Sequence, residues 1–289
     1  MATIRSFRAL RPAPPLAEKI ASVPYDVVNT KEARALASGN DLSFLHVVRP
    51  EIDLPDTIDT YDDRVYARAA ENFTRLKDSG SLIEEENPAL YIYRLRMEGR
   101  DQIGIAGCCL VDEYLDDTIK KHEFTRKAKE DDRVRHMLTL RAHAGPVLLT
   151  YRQTEKLAGL LKSGTAAEPL YDFTAEDGVQ HTIWRCADSE AIEEAFKEVP
   201  ALYIADGHHR AAGAGRVQGE LAESGGQDSF AEYNSFLTVV FPSDQLKIFA
   251  YNKYLGDLNG KTPEVLLADL EKDFTVIQTK NKNPEKKGS

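Results

Sequence analysis

A short apolar segment that runs into aspartate, glycine and a polar helix start constrains this chain more than any other feature. Residues 201–205 have the length and composition of a buried strand, and residues 207–223 have the character of a helix. Glycine at position 207 allows a close backbone turn, and the amides that open a helix have no partner within it and attract anions. The sequence therefore predicts a phosphate-binding turn between strand and helix, as in nucleotide-using α/β enzymes.

Residues 206–210, called the box below, bring three kinds of functional group to one helix end. On a helix that begins near Gly207, His209 and Arg210 follow Asp206 by three and four positions, so their side chains can converge with its carboxylate. Arginine can hold phosphate oxygens with two hydrogen bonds, and histidine can donate to a developing phosphoryl charge. A carboxylate can accept a hydroxyl proton or hold magnesium. The alternative is an aspartate helix cap with two incidental histidines.

Strands and helices alternate along the rest of the chain. Alternating apolar residues and turn signals predict two hairpins, over residues 90–111 and 171–186, and apolar residues at helical spacing predict a helix over residues 61–79. Further helices are predicted at residues 31–38, 131–142, 190–198 and 263–273, and further strands at 45–48, 146–151 and 236–241. The box helix and the strands on either side of it give a local βαβ pattern.

Composition limits the class of protein. The 289 residues are 42% hydrophobic and 29% charged, which allows a core large enough for two modest domains. The formal charge of −10 argues against nucleic-acid binding through phosphate neutralisation. The three cysteines lack a metal-ligand spacing and indicate a reducing compartment. Because no segment reads as a signal peptide or membrane span, we expect a cytoplasmic protein without a nucleic-acid or membrane partner.

A basic segment, residues 120–129, stands out in this acidic chain. Its lysines, arginine and histidine surround Glu123 and Thr125, so contact with an anionic ligand is expected, and Arg133, Arg135 and Arg141 extend the positive charge onto the following helix. The alternative is a charged loop that faces water.

Weaker candidates lie elsewhere. Tyr25 and Asp26 could reach the site from an extended N-terminal arm, although a Pro-Tyr-Asp turn is more often structural. Cys108 and Cys109 lie inside an apolar strand and are expected to be core residues rather than nucleophiles. His46, between two apolar residues, is expected to be a core or strand histidine.

The box and two other segments carry a family resemblance. The box and the alanines after it resemble the nucleotide-binding box of the ParB/sulfiredoxin superfamily, which includes the free-serine kinases of archaea. More of the chain resembles the domain-of-unknown-function ten-fifteen family, through Pro-Tyr-Asp-Val-Val at residues 24–28 and the basic His-Glu-x-Thr segment at residues 122–125. The resemblance extends from roughly Arg8 to Phe241.

The resemblance implies a fold: an α/β (α+β mixed) protein with a ParB/sulfiredoxin-like core, a mixed sheet and an additional N-terminal and hairpin lobe. The expected domains are an N-terminal arm and helical segment at residues 1–88, the nucleotide-binding core at 89–279 and a flexible tail at 280–289. Two departures stand out. The family commonly has a Pro-x-His-Arg-like segment where this chain has Tyr-Asn-Lys-Tyr at residues 251–254, and we find no C-terminal strand pair in the sequence.

The leading hypothesis is a kinase that transfers phosphate from ATP or ADP, with Mg²⁺, to the hydroxyl of serine or a related hydroxy acid. The predicted catalytic residues are Asp206, His209 and Glu123, with Asp206 as the base that the resemblance implies. The predicted cofactor-binding residues are Gly207, His208, Arg210, His122, Thr125 and Arg126. Its partners would be a small-molecule substrate and a nucleotide, and the chain could form a homodimer.

Three alternatives stay open. The first is a phosphatase that acts on a phosphorylated small molecule in the same pocket, and the second is a nucleotide-binding switch without metabolic kinase activity. The third is an inert homologue. The sequence does not identify the acceptor, choose ATP over ADP or fix the oligomeric state.

Overall fold

A mixed β-sheet organises the compact unit formed by Met1–Gln245. The computed structural model describes residues 1–225, 231–249 and 255–280. In chain order the strands are β1 (Leu10–Pro12), β2 (Leu82–Glu84), β3 (Tyr91–Met97), β4 (Arg100–Leu110), β5 (Ile119–Lys120), β6 (Val147–Tyr151), β7 (Tyr171–Thr174), β8 (Gln180–Arg185), β9 (Leu202–Asp206) and β10 (Ser235–Pro242).

Helices accompany these strands throughout the chain. They are α1 (Ala17–Ile20), α2 (Thr30–Ala37), α3 (Leu45–Val48), α4 (Asp63–Asp78), α5 (Val111–Leu115), α6 (Lys127–Leu140), α7 (Glu155–Gly164), α8 (Ser189–Phe196), α9 (His208–Gly225) and α10 (Pro263–Leu270). Short 3-10 helices lie at Pro14–Leu16, Pro50–Asp53, Glu232–Asn234 and Ser243–Gln245.

The large sheet has eight strands in the order β5-β9-β6-β10-β4-β3-β8-β7, and β1 and β2 form a separate antiparallel pair. Within the large sheet, β10 pairs with β6 and β5 pairs with β9 in parallel. The remaining pairs are antiparallel, including both predicted hairpins. The expected mixed α/β class is therefore confirmed.

The strands on either side of the box helix correct the predicted βαβ pattern. Strand β6 lies between β9 and β10, antiparallel to β9 and parallel to β10. Strands β9 and β10 consequently run in opposite directions, and α9 does not connect neighbouring parallel strands. Local apolar patterns predict where strands lie but carry no information on which distant strand pairs between them.

Four clusters of buried apolar residues lie in this unit, and the two largest position the box and the helices beside it. The larger one packs the sheet against helices α6 to α9, with Leu149, Phe196 and Val240 among its fully buried residues. A second layer packs α3 and α4 against the end of α6, where Leu140 is buried. Helix α4 belongs there because its apolar residues recur every three or four positions and its start is capped by the Asp62 carboxylate.

One predicted strand is wrong, and one helix of ten residues was not predicted. Residues 45–48, predicted as a strand, form the short helix α3, because a run of four apolar residues has no periodicity that distinguishes a buried helix from a strand. Helix α7 has no counterpart among the predicted elements. Its signals are present, since Thr154 caps its start and Leu157 and Leu161 lie four apart on its buried face.

Leu246–Ser289 form a second compact unit. In its described part, Thr262 caps helix α10 and Pro263 occupies the first helical turn, as is common at helix starts. The departure at residues 251–254 and residues 281–289 of the predicted tail lie outside the described residues. Across residues 1–225, 231–249 and 255–280, every helix is too short or too polar to traverse a bilayer.

Candidate functional site

The box forms the predicted turn between a strand and a helix. Strand β9 ends at Asp206, Gly207 adopts a positive φ of 95°, and α9 begins at His208. A Cβ atom at position 207 would lie 3.0 Å from Cζ and 3.1 Å from Nε of Arg210. Glycine is therefore required twice, for the left-handed backbone and for the space into which Arg210 folds.

Arg210 is held against the turn by two acceptors. Its Nη2 donates to the Asp206 carboxylate at 2.5 Å, and its Nη1 donates to the carbonyl of Pro146. Only 14% of the Arg210 side chain is exposed, whereas 60% of the Asp206 side chain is. The predicted convergence of carboxylate and guanidinium is observed. The guanidinium is already engaged, so its direct effect is to orient Asp206 towards solvent.

Tyr25 reaches this arrangement from the N-terminal arm. The Cζ atom of Arg133 lies 4.0 Å from the centroid of the Tyr25 ring, and that of Arg210 lies 6.0 Å from it. Burial raises the pKa of the Tyr25 hydroxyl, and the charge of Arg133 opposes this shift. The arm thus contributes an aromatic contact to Arg210, while Asp26 is exposed.

His208 is the buried histidine of the box. Its side chain is 5% exposed, its ring meets the His122 ring edge to face at 4.5 Å between centroids, and Nδ1 lies 3.6 Å from the Glu123 carboxylate. Burial lowers the pKa of His208, and His122 lowers it further, against the effect of Glu123. Nε2 is buried without a hydrogen-bond partner among the described residues, which marks it as a group that a ligand could satisfy.

His209 is bonded to the segment that faces the box, residues 121–126, called the basic loop below. The backbone N–H of Arg126 donates to Nε2 of His209 at 3.1 Å. Because a backbone amide only donates, the proton of the neutral ring is assigned to Nδ1. His209 therefore holds the basic loop to the start of α9.

The basic loop presents most of its side chains to solvent. His122, Glu123 and Arg126 are exposed, and Phe124 is 99% exposed. Thr125 is engaged locally, since its hydroxyl donates to Glu130 in the first turn of α6. The loop thus places a histidine and a carboxylate next to the box and leaves one aromatic ring free.

Sequence reasoning found the box and the loop but missed Pro146, Phe124 and the contact between Arg133 and Tyr25. Gly145 and Pro146 precede β6, and the Pro146 carbonyl accepts from Arg210; no local signal identifies such an acceptor. Phe124 was passed over as part of a charged segment, although a lone aromatic residue among lysines and histidines is a sequence signal for a contact residue. The contact of Arg133 with Tyr25 joins segments more than one hundred residues apart.

Comparison with known proteins identifies the family of the chain. Neither the curated proteins nor the solved structures gave a match. The profile of a family described as "Protein of unknown function (DUF1015)" matches residues 4–289. The chain therefore belongs to that family.

Proposed function

We propose that the protein is an ATP- or ADP-dependent kinase that phosphorylates the hydroxyl of serine or a related hydroxy acid, on a ParB/sulfiredoxin-like core. The observation that carries the proposal is the Gly207 turn, which brings the start of an 18-residue helix, an exposed carboxylate and a guanidinium into contact. Helix amides and a guanidinium suit phosphate oxygens, and the carboxylate suits a hydroxyl proton.

The box supplies the phosphate site in this proposal. The first amides of α9 have no acceptor within the helix and carry the positive end of its dipole. His208 contributes Nε2, which is buried and unpaired, and its lowered pKa keeps the ring neutral near pH 7, so that it donates when the proton is on Nε2. Arg210 adds a positive charge at the same turn, where it is paired with Asp206. These groups would hold the transferred phosphate and the negative charge that develops on it.

Asp206 is the proposed base. The acceptor hydroxyl oxygen attacks the terminal phosphorus, the bond from that phosphorus to the bridging oxygen breaks, and the hydroxyl proton passes to the Asp206 carboxylate. Arg210 fixes one carboxylate oxygen through its hydrogen bond, which leaves the other available to the acceptor. The products are a phosphomonoester and the shortened nucleotide.

The basic loop supplies three further predicted roles. His122 and Arg126 would contact the outer phosphates, and Glu123 would bind the acceptor amine or the metal. Within the described ranges, no three His, Cys, Asp or Glu side chains are grouped to hold a metal ion. Mg²⁺ in kinases is commonly held by one or two carboxylates together with substrate phosphates, and Glu123, with a side chain 60% exposed, fits that role. When bound, the ion would neutralise phosphate charge.

Nucleotide-dependent thermal stabilisation tests this proposal. Wild type, Arg210→Ala and a control, Arg96→Ala, are heated with Mg²⁺ and ATP, ADP, CTP or phosphoserine. Arg96 forms an equivalent pair with Asp101 at 2.6 Å on the β3–β4 hairpin, so the control removes a similar ion pair outside the box. ATP or ADP should raise the Tm of wild type and of the control by about 5 °C at saturating concentration. Arg210→Ala should lose most of that shift.

The outcomes separate the candidate functions. No shift of the wild-type protein with any of the four ligands would contradict nucleotide binding at the box. A nucleotide shift without turnover in the presence of serine or glycerate would contradict the kinase and favour the nucleotide-binding switch.

A further inference from the structure

A pocket of about 180 Å³ lies between the N-terminal helices and α6, beside the box. Three tyrosines and three cationic side chains line much of it: Tyr25, Tyr61, Tyr66, Arg49, Lys129 and Arg133. We call it the tyrosine pocket. Its volume is below the roughly 300 Å³ at which pockets for drug-sized ligands begin. It therefore suits a ligand smaller than a drug-sized molecule.

The charges around the tyrosine pocket favour an anion. Arg49 is paired with Glu51 at 2.8 Å, and Arg133 with Asp132 at 2.5 Å. Lys129 has no carboxylate partner among residues 1–225, 231–249 and 255–280, and its ammonium lies 5.8 Å from the centroid of the Tyr61 ring. The lining is thus positive by one charge in a chain whose formal charge is −10.

Arg133 adds unused hydrogen-bonding capacity. It donates to Asp132 through Nε and Nη2, at 3.0 and 2.5 Å, and its Nη1 forms no hydrogen bond within the described residues. The Tyr66 hydroxyl donates to the same carboxylate at 2.8 Å, so Asp132 holds both groups in place. The pocket therefore offers an ammonium and one free guanidinium nitrogen, a set that suits a carboxylate.

Tyr25 connects the tyrosine pocket to the box. Its ring lines the pocket and lies against Arg133, and on the box side it is 6.0 Å from Cζ of Arg210. A small ligand in the pocket would thus be separated from the Asp206–Arg210 pair by little more than one aromatic ring. The pocket is therefore adjacent to the box, and an acceptor bound in it would have to extend its hydroxyl around the Tyr25 ring to reach Asp206.

We propose that the tyrosine pocket binds a small carboxylate that bears a hydroxyl group. Its carboxylate binds Lys129 and Nη1 of Arg133, and its hydroxyl points past Tyr25 towards the box. That this ligand bears a hydroxyl group and is the phosphate acceptor rests on the proposed kinase function, but the binding of a small carboxylate does not.

Ligand-observed NMR on the full chain tests the binding. The probes are D-glycerate, L-serine and propionate, which lacks the hydroxyl, each with and without ADP and Mg²⁺. The variants are Lys129→Met, which removes the unpaired charge, and Thr60→Trp, which blocks the mouth at an exposed lining position without changing a charge. The control, Lys156→Met, removes the same charge from α7, where Lys156 pairs with Glu198 and lines neither pocket nor box.

Glycerate or serine should bind wild type and Lys156→Met with equal Kd and bind Lys129→Met about tenfold more weakly. Thr60→Trp should abolish the binding, and propionate should bind more weakly than the hydroxy acids. Equal Kd in Lys129→Met and wild type, or no binding of either hydroxy acid to wild type, would overturn the proposal.

The same variants distinguish this proposal from the kinase function. If Lys129→Met weakens hydroxy-acid binding but no acceptor-dependent nucleotide turnover occurs, the binding site is supported and the kinase function is contradicted. If turnover occurs with an acceptor KM that neither pocket variant changes, the kinase function is supported and the binding site is contradicted.

Discussion

The box and the basic loop are both rich in histidine and charged residues, but the fold holds them in different ways. The box lies on a strand end and a helix start, with Arg210 fixed by Asp206 and the Pro146 carbonyl and with His208 buried. The basic loop exposes most of its side chains and is bonded to α9 through one backbone amide and His209. The box is thus the fixed, partly buried half of the site, and the basic loop is the exposed half.

This difference has a consequence for substitutions. Changes in the buried half should alter the free energy of unfolding as well as ligand binding, because each group there has an assigned partner or no room to move. Changes in the exposed half should alter ligand binding while leaving stability nearly unchanged. The predictions below test this division and the burial of the helix that follows the basic loop, from the largest expected effect to the smallest.

The largest effect should be the pH dependence of the free energy of unfolding that arises from His136, a buried histidine on α6. His136 on α6 donates from Nε2 to the Val47 carbonyl at 2.9 Å, and burial lowers its pKa from 6.5 to about 4. The unfolded chain then binds the proton more readily, so His136 stabilises the fold fully above pH 6.5 and loses that contribution as pH falls towards 4. The loss should reach roughly 3 kcal/mol in the free energy of unfolding.

Urea unfolding at pH 7.5, 5.5 and 4.5 measures this loss. His136→Gln, which keeps a donor for the Val47 carbonyl but does not titrate, should show a shallower decrease than wild type. Parallel decreases in the two proteins would show that His136 titrates as an exposed histidine does.

The second prediction concerns the backbone of the box. Gly207→Ala places a Cβ at positive φ and 3.0 Å from the Arg210 guanidinium, so we expect the free energy of unfolding to fall by about 2 kcal/mol. Nucleotide binding should weaken as well, because Arg210 must move. Urea unfolding and nucleotide titration measure the two effects.

Gly219→Ala is the matched control. Gly219 lies within the same helix, and a Cβ there meets nothing within 4 Å, so alanine should stabilise the helix by about 0.5–1 kcal/mol. Opposite signs at positions 207 and 219 are expected, and equal effects would show that the turn does not constrain residue 207.

Phe124 tests the exposed half. Because its side chain is 99% exposed, Phe124→Ala should leave the free energy of unfolding within about 0.5 kcal/mol of wild type. A free aromatic ring next to the box could stack on the base of a bound nucleotide, so we expect the Kd for ATP or ADP to rise about tenfold when the ring is removed. Leu115→Ala, on α5 with a side chain 57% exposed, should change neither quantity. An unchanged nucleotide Kd in Phe124→Ala would contradict a contact between this ring and the nucleotide base.

The smallest effect should come from the bond between the two halves. His209→Ala removes the acceptor of the Arg126 amide, and a neutral hydrogen bond of this kind contributes about 1 kcal/mol or less. Amide hydrogen exchange should show faster exchange at Arg126, with little change in the first turn of α9. Unchanged exchange at Arg126 would mean that the basic loop is held by other contacts.

The sequence predicted the features that depend on neighbouring residues. The turn at Gly207, the pairing of Asp206 with Arg210 and both hairpins follow from local spacing, turn chemistry and apolar period, and all are observed.

The remaining features depend on residues far apart in the chain. The insertion of β6 between β9 and β10, the contact of Tyr25 with Arg133 and the bond from Arg126 to His209 join segments that no local pattern relates. Tertiary packing also decides short apolar runs, which is why residues 45–48 are helical. The tyrosine pocket also depends on distant segments, since its lining comes from the N-terminal arm, residues 48–51, the start of α4 and α6.

Phosphorus-31 NMR of the reaction tests the central claim most directly. Wild type and Asp206→Asn are incubated with Mg²⁺, ATP or ADP, and serine or glycerate, and the formation of a phosphomonoester is followed. The proposed function predicts an acceptor-dependent phosphomonoester with the wild-type enzyme and a rate at least about 100-fold lower in Asp206→Asn, because the amide cannot take the hydroxyl proton. No phosphomonoester from either acceptor, or an equal rate in the variant, would contradict it.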